Sequence, residues 1–157
     1  MEFDTTIVRG RSKPDPTTGA IIPPLYQTAT YVLEEVGRDK GFDYTRSSNP
    51  TRQELESHLA AIEGGSYAVA FASGMAGADS CMKLLEQGDH VVCCDDVYGG
   101  TSRLFNKLMS NYGVHFSYVD SQDATNVEAA IRPETKMVWI ETPTNPLLKI
   151  TDLDAVG

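Results

Sequence analysis

The stretch HVVCCDDVYGGTSRLFNKLMSNYGVHFSYV, residues 90–119, decides the fold. It opens with a short apolar run, His90 to Cys94, of the kind that forms a buried strand. Asp95, Asp96 and a turn at Tyr98-Gly99-Gly100 follow. Leu104, Phe105, Leu108, Met109 and Tyr112 then recur at helical spacing, and a second apolar run covers 114–119. A strand, a crossover helix and a second strand form the unit from which parallel, helix-covered sheets are built.

The same alternation extends in both directions. Toward the carboxyl end, Thr125 and Glu128 have the spacing of a capping box and predict a helix, and 136–140 reads as a further strand. Toward the amino end, 67–72 is a short apolar run of strand type. Ser73-Gly74 then opens a helix carrying Met75, Cys81, Leu84 and Leu85 and ended by Gly88. Asn49 is a cap, Pro50 suits a first turn, and Thr51 with Glu54 has capping-box spacing. Leu55, Leu59 and Ile62 then recur at helical intervals until Gly64-Gly65. The series is β-α-β-α-β-α-β, which predicts an α/β fold with a mainly parallel sheet and helices on both faces. Residues 1–48 differ in texture: Pro14, Pro16, Pro23 and Pro24 interrupt periodicity, so the stretch is expected to be an extended arm. Ile21, Ile22, Leu25, Tyr26 and Tyr31 are too apolar for a solvated linker, so the arm is expected to lie against another surface. Residues 49–157 form the expected main domain.

Composition narrows the function. The chain has 157 residues, of which 41% are apolar and 22% charged, which fits one globular domain or a piece of a larger one. A formal charge of −9 repels phosphate backbones, so nucleic acid is not an expected partner, and an anionic ligand must be held by local donors. No apolar run approaches the ~20 residues that span a bilayer. Met1-Glu2-Phe3-Asp4 does not begin a secretory signal. Cys81, Cys93 and Cys94 lack CxxC spacing and read as buried thiols of a reducing compartment, the cytoplasm, with a metal or redox site as the alternative.

In parallel sheets, ligands bind beyond the carboxyl ends of the strands, which directs attention to the residues just after each run. Ser73-Gly74-Met75 combines a glycine with a helix start, whose free N–H groups and dipole favour an anion; taken alone, a plain tight turn fits as well. Neither a G-x-G-x-x-G fingerprint nor a P-loop occurs. Tyr98, between Val97 and two glycines, is free to stack on a planar ligand, or else is an ordinary half-buried loop tyrosine. Glu141-Thr142-Pro143-Thr144-Asn145-Pro146 is stiffened by its prolines and presents Glu141 and Asn145, or is a solvated turn. Tyr44 and Arg46 bring a phenol and a guanidinium suited to phosphate oxygens.

The strings YTRSSNPTR, FASGMAG, DDVYGGTSRLF and WIETPTNPLLKITDL, in that order, resemble the amino-terminal part of a pyridoxal-phosphate enzyme of the Cys/Met metabolism family. That family includes cystathionine γ-synthase, cystathionine γ- and β-lyase and methionine γ-lyase. The likeness runs from about Pro23 onward, and Ser48 stands where many members have glycine. The resemblance implies the aspartate-aminotransferase type of fold (fold type I), here incomplete, and a tetramer built from dimers with shared sites. It also implies pyridoxal 5'-phosphate as cofactor and an amino-acid substrate, with no metal. The amides of Gly74 and Met75, beside Ser73, would hold the cofactor phosphate, and Tyr44 and Arg46 would reach it from the neighbouring subunit. Tyr98 would stack on the pyridine ring, with a second role for its phenol in activating the incoming amine or the leaving sulfur. Asn145 would lie near the ring's phenolic oxygen, Glu141 would support the pocket, and Arg103 would stand near the substrate entrance.

None of the six lysines, at 13, 40, 83, 107, 136 and 149, follows the serine-rich strand end where the family carries its cofactor lysine. Thr151 and Asp154 announce a helix just before Gly157, so a fragment is expected, with that lysine outside the chain. The activity implied is γ-replacement or γ-elimination of the γ-synthase or γ-lyase type, with β-lyase and methionine γ-lyase as alternatives. The rivals from other classes are a non-catalytic module that keeps the phosphate cradle and an ordinary nucleotide-binding domain, which the missing fingerprints disfavour.

Overall fold

A computed structural model describes residues 2–10 and 12–157; the arm reading at Met1 and Arg11 lies outside these residues. The chain divides into two compact units, residues 1–70 and 71–157.

In the first unit, helix α1 spans Phe3–Arg9, a departure from the extended arm that the prolines announce further along. Asp4 and Arg9 lie at the ends that suit their charges on the helix dipole. Gly10 ends the helix at φ +53°, and a Cβ there would come within 2.7 Å of the His58 ring. That ring lies on α2 (Pro50–Ile62) and bonds the carbonyl of Ile7 at 2.8 Å, so the two helices are tied at this point. Asn49 caps α2 as expected: its Oδ1 accepts from the Thr51 amide at 2.8 Å. Its Nδ2 donates to the carbonyl of Tyr26 and to Thr45 Oγ1, both at 3.1 Å. One buried amide thus starts the helix and fastens the irregular segment before it. The capping box does not form. Thr51 Oγ1 accepts from the Tyr26 amide at 2.9 Å, and the Glu54 carboxylate takes the Ser12 hydroxyl.

The second unit carries the parallel sheet. Its strands are β1 (His90–Cys94), β2 (His115–Val119) and β3 (Thr135–Trp139), in the order β2-β1-β3, with both pairings parallel. Among the described residues the sheet has three strands. The run 67–72 forms none, because no neighbouring strand supplies a hydrogen-bonded ladder. Central β1 is buried along its whole length. Helix α3 (Gly74–Met82) leads into β1, and α5 (Ala124–Ala130) lies in the connection from β2 to β3, as expected. Short α4 (Gly99–Arg103) continues into a π turn at Leu104–Leu108 and a 3-10 turn at Met109–Tyr112, then stops at left-handed Gly113.

Met82, Cys93, Cys94, Val97 and Phe105 form the core. Phe105 stacks on Phe116 at 4.6 Å between ring centroids and meets Trp139 edge-on at 5.4 Å. His90, wholly buried, bonds Thr135 Oγ1 at 2.7 Å and Ser117 Oγ at 3.0 Å, one from each flanking strand. Two caps differ from expectation. Asp123, two residues before Thr125, accepts the Thr125 amide at 2.9 Å. Asp152, next to Thr151, accepts from Asp154 and Ala155 to start α6 (Leu153–Val156). An aspartate one or two positions upstream takes the amides that the threonine spacing promised to Thr125 and Thr151.

Candidate functional site

The carboxyl ends of β1 and β3 and the start of α3 enclose a cleft of about 440 Å³ lined by Ser73, Gly74, Met75, Tyr98, Trp139 and Glu141, among others. Five of the residues singled out from the sequence therefore meet in one place. Helix α3 begins at Ser73, whose extended backbone and side chain make a regular cap: Oγ accepts from the Ala76 amide at 3.1 Å. The cap leaves the hydroxyl proton of Ser73 available to a further acceptor. The amides of Gly74 and Met75 lie in the first helical turn, which has no intrahelical acceptor for them, and neither has another partner among the described residues. A Cβ on Gly74 would have nothing within 4 Å, so the approach to these amides is open.

Tyr98 also lines the cleft, as the cap residue of α4, 47% exposed. Its ring and the thioether of Met75 press on Gly100; a Cβ at that position would lie 2.8 Å from Met75 Sδ and closer still to the Tyr98 ring. A side chain at 100 would have to displace one of the two, so glycine there lets Met75 and Tyr98 approach within one cleft.

Glu141, just past β3, meets three protein donors. Its Oε2 accepts the Tyr98 amide at 2.7 Å, and its Oε1 accepts the Thr101 hydroxyl at 2.9 Å and the Trp139 indole N–H at 3.2 Å. Its own amide donates to Cys94 Sγ at 3.3 Å. Cys94 is held down to about 7 by the hydrogen bond from Cys93, whose own thiol is pushed well above its ordinary range by the same bond and by burial.

The loop after Glu141 crosses the strand ends. The Asp96 carboxylate accepts from Thr144 Oγ1 at 2.5 Å and from the Leu147 amide at 2.8 Å. Lys149 reaches Asp95 at 2.8 Å and Asp120 at 3.3 Å, and the hydrogen bond to Asp95 raises its pKa. Asn145 is on this loop, exposed, and does not line the cleft. Arg103 ends α4, exposed, with no ion pair among the described residues. Tyr44 and Arg46 belong to the first unit, where the guanidinium lies 5.1 Å from the centroid of the Tyr44 ring.

Sequence reasoning missed Thr101, Trp139 and the role of Lys149. The first two flank quoted site residues, but their roles come from contacts distant in sequence. Asp95 and Asp96, both in the strand-end stretch 95–100 expected to belong to the site, were the available signal for the last.

The cleft suits a flat anionic ligand: two free amides, a hydroxyl and an aromatic side chain belong to residues that line it. Comparison with known proteins agrees. The profile of the family described as Cys/Met metabolism PLP-dependent enzyme matches residues 4–157, starting earlier than the motifs alone indicate. A probable cystathionine gamma-synthase of Herpetosiphon aurantiacus is 46% identical over 98% of this chain and 48% of its own. A cystathionine beta-lyase of Coxiella burnetii is 46% identical over 99% of this chain and 40% of its own. The crystal structure of cystathionine gamma-lyase from Lactobacillus plantarum complexed with L-serine superposes with a TM-score of 0.89 at 43% identity, over 99% of this chain and 41% of that one. The chain thus spans less than half the length of these relatives.

Proposed function

The chain belongs to the Cys/Met metabolism PLP-dependent enzyme family, and from that premise we propose that it is the cofactor-gripping part of a transsulfuration enzyme. The reaction is γ-replacement or γ-elimination on a sulfur amino acid, as in cystathionine γ-synthase or γ-lyase. The observation that carries this reading is that the unpartnered amides of Gly74 and Met75 and the Tyr98 ring belong to residues lining one cleft.

Each residue has a task that its surroundings allow. The amides of Gly74 and Met75 and the hydroxyl proton of Ser73 bind the phosphate of pyridoxal 5'-phosphate at the positive end of the α3 dipole. Tyr98 stacks on the pyridine ring and excludes water from that face. Its phenol is assigned a second role, hydrogen-bonding the incoming amine or the leaving sulfur. Glu141 supports the pocket and Arg103 receives the substrate at the entrance, while Asn145, which does not line the cleft here, is assigned to the ring's phenolic oxygen by the family resemblance alone. Tyr44 and Arg46 serve the site of a neighbouring subunit in a tetramer of paired dimers, and the three thiols suit a reducing cytoplasm. When bound, the cofactor supplies an electron sink for the carbanion left by loss of the amino acid's α proton. The lysine that moves protons in this chemistry comes from polypeptide outside these residues.

Identity to the β-lyase equals identity to the γ-synthase, 46% in each case, which keeps β-elimination as the second reading. The test is an assay of the chain together with the polypeptide that supplies the lysine. Cystathionine formation from an activated homoserine ester, or cystathionine breakdown to cysteine, is expected. Breakdown to homocysteine instead selects the β-lyase, and none of the three overturns the assignment.

A further inference from the structure

A tyrosine cannot cap a helix with its own side chain. In a capping box, the amide of the cap residue is bonded by the side chain at the third helical position. In α4 that position is Thr101, whose hydroxyl is directed to Glu141. The Tyr98 amide is satisfied from 43 residues away by the other oxygen of the same carboxylate, at 2.7 Å. Glu141 therefore replaces the missing capping box from the end of a different strand.

The carboxylate is itself held at both ends. Trp139, on β3 and packed edge-on against buried Phe105, donates its indole N–H to Oε1 at 3.2 Å. The Glu141 amide is bonded to Cys94 at the buried end of β1. A carboxylate offers roughly four lone-pair directions, and three of those at Glu141 are used by protein donors. Little acceptor capacity remains for a ligand. The cofactor's phosphate and phenolic oxygens are anionic, so a carboxylate beside them would repel them.

From this geometry we infer that Glu141 is a positioning residue that acts through Tyr98. It references the stacking ring to the central sheet, with Thr101 and Trp139 holding the carboxylate in place. The inference rests on the proposed cofactor reading of the cleft and specifies how that cleft is built.

The experiment is a double-mutant cycle on the chain, with pyridoxine 5'-phosphate as the probe. It carries the ring and the phosphate but no aldehyde to react with surface lysines. Its binding is followed by quenching of Trp139, the one tryptophan present. Tyr98→Ala and Glu141→Ala are each expected to weaken binding about two- to tenfold, the range that ring stacking supplies. The double variant is expected to bind no more weakly than Tyr98→Ala alone. Losses that multiply in the double variant, or unchanged affinity in Glu141→Ala, overturn the inference. If Glu141→Ala does not fold, Glu141→Gln takes its place in the cycle. It keeps an acceptor for the Tyr98 amide and is expected to lose part of the affinity, again only when the ring is present. Hydrogen exchange gives a ligand-free reading: in Glu141→Gln the Tyr98 amide should exchange faster while the β1 amides do not. If wild type does not bind the probe, the cofactor reading fails, and the exchange rate at Tyr98 alone decides the positioning role, an unchanged rate overturning it.

Discussion

Residues 90–94 and 67–72 are two apolar runs of the same texture with opposite outcomes. HVVCC is the central strand of the sheet, every residue of it fully buried, paired with β2 throughout and with β3 from His90 to Cys93. YAVAFA forms no strand and has no ladder, and its alternate large side chains Tyr67, Val69 and Phe71 are 82%, 61% and 49% exposed. Composition does not separate the two runs; partners do. A strand is a property of the pair, because its polar backbone groups are satisfied only when a neighbour supplies the complementary row. The Ala70 amide instead finds a side chain, the Glu56 carboxylate at 2.9 Å.

The comparison breaks most readily at its buried end. Val92→Asp places a charge with no partner inside the sheet and is expected to cost about 4 kcal/mol or more. Against the roughly 5–15 kcal/mol of an ordinary domain, that should abolish or sharply lower the thermal transition of the second unit. A variant that melts like wild type would show that β1 is not the sealed centre described above.

His90 gives a smaller and pH-dependent effect. Burial makes its cationic form unfavourable in the fold and lowers its pKa from 6.5. As pH falls through 6.5 the unfolded chain takes up the proton first, so stability is complete above that value. It is then lost until the lowered native pKa is reached. Subtracting the melting profile of His90→Gln from that of wild type should isolate a slope that begins at 6.5 and falls toward acid. A flat difference would mean that this end of β1 is wet.

The smallest effect belongs to the other run. Tyr67→Ser removes a ring that is mostly in solvent and should change stability by no more than about 0.5 kcal/mol in a denaturant titration. A larger loss would sharpen the comparison by revealing that the run is held by something other than a ladder.

These contrasts mark what the sequence could reveal. Strand β1 was legible because a five-residue apolar run between polar turns becomes a buried strand when it sits between two similar runs. Helix α2 was legible because Asn49 and Pro50 encode its start locally. The caps at Asp123 and Asp152 were misread because aspartate and threonine compete for the same amides at neighbouring positions. The π turn at Leu104–Leu108, which carries buried Phe105, left no signal in the helical spacing of its residues. At the site, strand-end loops pointed to Ser73, Gly74, Met75, Tyr98 and Glu141 because topology alone sends ligands there. Thr101 and Trp139 remained hidden because their hydrogen bonds depend on where α4 and β3 lie in space.

Gly100 carries a consequence for how this cleft can change over generations. Every amino-acid replacement reachable by a single base change in a glycine codon adds a β carbon, and here that carbon would strike the Tyr98 ring and the Met75 sulfur. Any single-step replacement therefore displaces the ring or the thioether, so that change at this residue and change at its two neighbours are tied together in descent.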